Sequence, residues 1–235
     1  MVKTLTTSVG QKVLMALTGL ALCGFLVVHL GGNLLLYADS DGEKFNAYAE
    51  AIHKQGETGL LFVAEAGLVG LFALHIVLAV STSIRNRRAR GTRYAVKTPK
   101  KRSGWLVFDP SYMMTLTGIV IFLFLCLHIS DLRLGKMDGD KNERFVLSEI
   151  AGKEHATTME QVKTVLSDPF SGPVYLIGAV LLAVHVSHGF SSAFQSLGFD
   201  HPKYTSLVRC VSVLFALVVG FGFASFPIWA MLTQQ

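Results

Sequence analysis

Four histidines, His29, His75, His128 and His185, stand one apiece in four long apolar segments of the chain. An ionisable side chain in hydrocarbon is costly and rarely idle: it bonds to a neighbouring helix, lines a polar cavity or relay, or ligates a metal. Depth bears on the choice. At about 1.5 Å per residue, His29 and His128 lie roughly 27 and 26 Å from the ends of their segments on the N-terminal side of the membrane, and His75 and His185 roughly 14 and 17 Å. The four thus fall at two levels separated by roughly 12 Å of height. Two neutral imidazoles at one level form the axial set of an iron porphyrin that moves electrons and leaves no position for oxygen. The expectation is two stacked b haems, one between His29 and His128 and one between His75 and His185, each pair being diagonal partners in a four-helix bundle. A histidine-lined metal or proton transporter is the alternative, with its histidines strung along one pathway.

The elements that must position these rings follow from hydropathy. Of the 235 residues, 51% are apolar and 16% charged, and the apolar ones cluster in five stretches near 11–37, 58–84, 111–131, 171–196 and 205–232, each long enough to span a bilayer. The expected fold is an all-α membrane protein with five transmembrane helices in one domain over 1–235: a four-helix haem-binding bundle plus a fifth, peripheral helix without a histidine. The first stretch contains Cys23 behind Lys3 and Lys12, but it is too long for a signal core. No small-x-small site follows it, so it is expected to stay in the protein.

Charge sets the expected orientation. The N-terminus, second loop and fourth loop share one side and carry Lys3, Lys12, nine Lys or Arg within 85–102, Lys203 and Arg209, against Asp109 and Asp200. The other side holds Asp39, Asp41, Glu43, Glu50, Glu57 and eight acids between Asp131 and Asp168. The positive-inside tendency then makes the N-terminus cytoplasmic; the expected location is a bacterial-type inner membrane. The net charge of +5 reflects this topology. The basic loop has few aromatics to stack bases, so lipid headgroups or a protein surface are expected partners, not nucleic acid.

Cys23, Cys126 and Cys210 lie singly in three spans, as small packing residues do. No iron-sulfur, zinc or glycine-rich phosphate motif is present, so chemistry needing a flavin, nucleotide or iron-sulfur cluster must come from another subunit.

Around the four rings, Gly19 and Gly118 each precede the histidine of their own helix by ten residues, near the inner level, where a missing side chain makes room for a haem edge. Gly67, Gly70 and Gly178 are read the same way, or as helix-packing glycines. His188, one turn from His185, is a candidate propionate contact. Arg133 and Arg209 are further propionate candidates or interfacial snorkelling residues. Glu65 is read as the one carboxylate well inside an apolar span, where burial favours its neutral form and proton delivery to a quinone. Glu50 and His53, at the outer mouth, are weaker candidates. Between about 132 and 170, Thr157, Thr158 and Glu160 ahead of Val162 and Val165 predict a short capped amphipathic helix, either a lid or an accessory packing element.

The first helix reads VVHLGGNLLLY and is followed by FNAYAEAIHK; later helices carry ALHIVLAV, CLHISDLR and AVHVSHGFSSAFQSLG. Over nearly its whole length the chain resembles the five-helix, dihaem cytochrome b subunit of succinate dehydrogenases and fumarate reductases, the single-polypeptide membrane anchor. The HLGGN and FNAYA runs are the most specific part. The resemblance implies that His29, His75, His128 and His185 are the haem ligands, second helix paired with fourth and first with third, with His185 preferred to His188 by the HxSxG pattern. It also implies a flavoprotein carrying FAD and an iron-sulfur protein docked on the cytoplasmic face, with menaquinone as the lipid electron carrier. The same HLGGN and FNAYA runs argue against the haem b subunit of a hydrogenase or formate dehydrogenase, which has a comparable set of histidine-bearing spans.

Overall fold

The protein is all helical across the residues described by the computed structural model, 7–89, 110–134 and 157–233. The expectations for the basic loop from residue 90 onward and for residues 135–156 lie outside them. Seven α-helices follow in order: α1 (Ser8–Asn33), continued by a 3₁₀ turn (Leu34–Tyr37), α2 (Glu43–Glu57), α3 (Leu60–Ala89), α4 (Pro110–Ile129), continued by a π turn (Ser130–Leu134), α5 (Thr158–Ser167), α6 (Ser171–Ser196) and α7 (Pro202–Thr233). Five of them, α1, α3, α4, α6 and α7, are long and apolar enough to cross a membrane. This is an all-α, multi-pass membrane protein, with spans close to those read from hydropathy.

The packing order is what brings the histidines together. The α1 helix packs against α3 and α6, and α6 also packs against α4, so the four histidine-bearing helices run α3, α1, α6, α4 around a bundle. The diagonals are therefore α1 with α4 and α3 with α6. The α7 helix lies outside this ring, packed along α6 and touching α1. Small residues let those backbones approach. A Cβ on Gly220 would meet that of Ala183 at 2.6 Å, and one on Gly222 would meet the Leu30 side chain at 2.7 Å.

The two ends of the bundle differ. At the end where α1 begins, here the near end, the described residues form no cap. At the far end α2 and α5 lie across the helices, and the buried apolar cluster of Leu30, Leu36, Phe45, Met159, Val162 and Tyr175 gathers there. The α5 helix forms as its sequence predicts: the Thr157 hydroxyl accepts from Glu160 N at 3.3 Å, and Thr157 N donates to Glu160 Oε2 at 2.9 Å, a complete capping box. Its buried face carries Met159, Val162, Val165 and Leu166, and its Lys163 ammonium lies 4.8 Å from the Trp229 ring of α7.

The connection between α1 and α3 contains a helix, α2, where the sequence suggests only an acidic loop. Gly42, at φ 72°, turns the chain into α2 in a conformation that side chains rarely adopt, and the Met159 side chain closes over it. The HLGGN and FNAYA runs meet here. A Cβ on Gly32 would overlap the Tyr48 phenol, Phe45 is in the buried cluster, and Asn46 Oδ1 accepts from Met159 N at 3.0 Å. These residues dock α2 and α5 on the end of α1.

Candidate functional site

The far-level pair is assembled by α1 and α4. The His29 and His128 rings lie with centroids 5.8 Å apart and planes at 85°. Two imidazoles bonded to one metal ion through nitrogens at about 2 Å hold their centroids roughly 6 Å apart, so this spacing suits an ion between the rings. Aromatic side chains fix both. Phe25 stacks on His29 at 5.3 Å, Phe223 of α7 lies 5.5 Å from it, Phe124 stacks on His128 at 5.8 Å, and Tyr175 of α6 lies 5.7 Å from His128. Thus α7, though outside the ring of four, supplies a wall of the far site. The Nδ1 atom of His128 is buried with no hydrogen-bond partner; an orphaned nitrogen in the interior is costly, and ligation of the ring is chemistry that would offset it. Asn33, one turn beyond His29, donates to the His29 carbonyl at 2.8 Å; its 3.4 Å approach to Nε2 is long and leaves that ring weakly held.

The near-level pair is assembled by α3 and α6, and the opposite diagonal supports it. Behind each ring stands a threonine of a neighbouring helix: Thr18 Oγ1 lies 3.0 Å from His75 Nδ1, and Thr117 Oγ1 lies 3.0 Å from His185 Nδ1. Both threonines are buried, at 6% and 2% exposure. The adjacent glycines lie against the rings themselves. A Cβ on Gly19 would lie 3.3 Å from His75 Cε1, and one on Gly118 would lie 3.5 Å from His185 Cε1. The missing side chains seat the imidazoles directly. Gly178 is filled by the Phe124 ring and serves helix packing, while Gly67 and Gly70 have no neighbour within 4 Å.

His188 sits beside His185 on α6, close enough to interact electrostatically, and its carbonyl accepts from the Ser191 hydroxyl at 3.2 Å. His53 and Glu50 are on α2, exposed, with Glu50 paired to Lys54 at 2.8 Å.

Glu65 is not the solitary buried carboxylate expected. Arg133, at the end of α4, grips it with both arms of its guanidinium, Nε to Oε1 at 2.9 Å and Nη2 to Oε2 at 3.1 Å, and their side chains are 38% and 47% exposed. The pair bridges α3 and α4, helices not otherwise closely packed. It also places the Arg133 guanidinium on a carboxylate. The buried carboxylate at this end is Asp131, which sequence reading assigned to the loop. The π turn carries it inward to 6% exposure, where the Tyr175 hydroxyl donates to Oδ2 at 3.4 Å.

The threonines were also missed, although a signal was available: T-G followed ten residues later by His occurs in α1 as Thr18, Gly19, His29 and in α4 as Thr117, Gly118, His128. Among the described residues no three His, Cys, Asp or Glu side chains converge on a point; of the span histidines, His29 and His128 are in ring contact. In comparisons with models of protein families, with curated proteins and with solved structures, nothing matches the chain.

Proposed function

We propose that the chain is the membrane-anchor cytochrome b subunit of a succinate:quinone oxidoreductase. In this reading it carries electrons between soluble flavoprotein and iron-sulfur subunits, the former holding FAD, and quinone in the membrane, with menaquinone as the quinone of the family it resembles. The carrying observation is the meeting of span histidines from diagonal helices, His29 and His128 at 5.8 Å, with a second diagonal pair backed by paired threonines. Metal relays use three or four converging ligands, whereas a two-by-two set suits axial ligation. The HLGGN and FNAYA runs, which here dock α2 onto α1, favour this subunit over the hydrogenase and formate dehydrogenase types.

His29 and His128 would hold the outer haem b, and His75 and His185 the inner one. Bound between two imidazoles, a haem supplies one-electron transfer with no coordination position open to oxygen. The chain's own residues then have separate tasks. Phe25, Phe124, Phe223 and Tyr175 keep water from the far rings and restrict their tilt. Thr18 and Thr117 hold the near rings from behind, and His188 would bond a propionate. The near end, with basic Arg85, Arg87 and Arg88, faces the cytoplasm and the soluble subunits in this orientation. Proton delivery to quinone by Glu65 requires its pair with Arg133 to open. Replacement of Glu65 by Gln removes it from the mechanism if quinone turnover and haem spectra are both unchanged.

The test is a reduced-minus-oxidised spectrum of the purified protein together with haem stoichiometry and identification of copurifying subunits. Expected are b-type bands, two haems per chain, and a flavoprotein with an iron-sulfur protein. A protein without haem bands returns the transporter reading, and haem with hydrogenase or formate dehydrogenase subunits moves it to another complex.

A further inference from the structure

The two threonine contacts are the same device used twice. In α1 and in α4 a T-G pair precedes that helix's own far-level histidine by eleven and ten residues, and in both the pair faces a near-level histidine of a different helix: His75 for Thr18, His185 for Thr117. In both, the glycine brings the imidazole against the helix, with its Cε1 3.3 or 3.5 Å from where a Cβ would stand. The hydroxyl beside it is then within reach of Nδ1.

A threonine hydroxyl has one proton. In Thr18 it points to the carbonyl of Leu14 at 3.0 Å, and in Thr117 to that of Met113 at 2.7 Å, the usual bond of a helical threonine to the preceding turn. With that proton committed, the oxygen meets the imidazole as an acceptor, so Nδ1 carries hydrogen and donates. A neutral imidazole has only one N–H. Its Nε2 is then left with a free lone pair, the form that binds a metal, and an acceptor on Nδ1–H strengthens that donor. At the far level His128 Nδ1 is buried and has no such backing.

We propose that Thr18 and Thr117 are positioning residues that set the tautomer and donor strength of His75 and His185, and so tune the inner haem and not the outer. This rests on the haem reading above. The test is redox titration, with electron paramagnetic resonance, of the haem-loaded full-length protein carrying Thr18→Val, Thr117→Val or both. His75→Ala and His29→Ala assign each signal to its level. The expected result is a positive shift of the inner haem potential in each single variant and a larger one in the double, with altered g-values at that haem and the outer haem in place. Thr18→Ser and Thr117→Ser, which keep the hydroxyl, are expected to hold the original potential. Should valine not be accommodated, Thr18→Ala and Thr117→Ala remove the same acceptor without added bulk. An inner potential unmoved by loss of the hydroxyl, equal shifts at both haems, or serine variants that shift like valine would overturn the inference while leaving the haem reading intact. Failure of the unsubstituted protein to bind haem overturns both.

Discussion

The near and far histidine pairs sit in one bundle but are held by different forces. At the near level each imidazole has a hydroxyl behind it at 3.0 Å and a glycine against its edge. Direction there comes from hydrogen bonding, which is sharp in angle. At the far level the rings are enclosed by Phe25, Phe124, Tyr175 and Phe223 at 5.3 to 5.8 Å, and the whole end is covered by α2 and α5. Orientation there comes from packing, which restricts a ring by volume and depends on everything stacked above it. The difference teaches that one side-chain type, the imidazole, can be held by two supports, one local and one spread over many residues.

The largest test of this contrast is deletion of the ligands. His29→Ala or His128→Ala is expected to remove about half the bound haem and leave the inner signal, with His75→Ala or His185→Ala doing the converse, because each centre depends on its own two axial ligands. Haem content per chain reads the result, and loss of both centres from any single substitution would break the separation of levels. Next in size, Gly32→Ala should destabilise the far end by about 1–3 kcal/mol, since its methyl meets the Tyr48 ring. Gly31→Ala, with nothing within 4 Å, is the matched control and should be neutral or stabilising. Thermal unfolding in detergent compares the two, and equal effects would remove the docking role of Gly32.

Loss of the α5 cap in Thr157→Ala should cost about 1 kcal/mol, with the outer haem spectrum more disturbed than the inner; the reverse order would show that α5 does not support the far site. The smallest expected effect is on folding in Arg133→Gln. Its pair with Glu65 is partly exposed, and such pairs contribute about 0.2–1 kcal/mol. A large drop in melting temperature would mean that this bridge holds α3 and α4 together.

Much of the frame was legible from the chain. Five apolar runs long enough to span a bilayer could hardly be anything but spans, and one histidine in each of four runs gave the two levels by simple rise per residue. The capped helix at Thr157 was legible because its box is local. What escaped was contact between distant segments. Thr18 and Thr117 look like ordinary helix residues until the helix order is known, and the partner of each is 57 or 68 residues away. Arg133 and Glu65 are likewise separated by 68 positions. Asp131 was assigned to the loop because a π turn adds a residue to the helix and redirects the side chain, which ordinary periodicity does not show. The α2 helix was overlooked because its few apolar anchors, Phe45 among them, stand in an acidic stretch.

The T-G and histidine of α1 and of α4 are joined by uninterrupted helix. Eleven residues of α-helix make three turns with only about 20° left over and rise about 16 Å. Each of these helices is thus a fixed ruler, carrying at one mark a far-level histidine and at the other a support for a near-level one. Adding or removing one residue between the marks would turn them about 100° apart. That register couples the two histidine levels through the backbone itself.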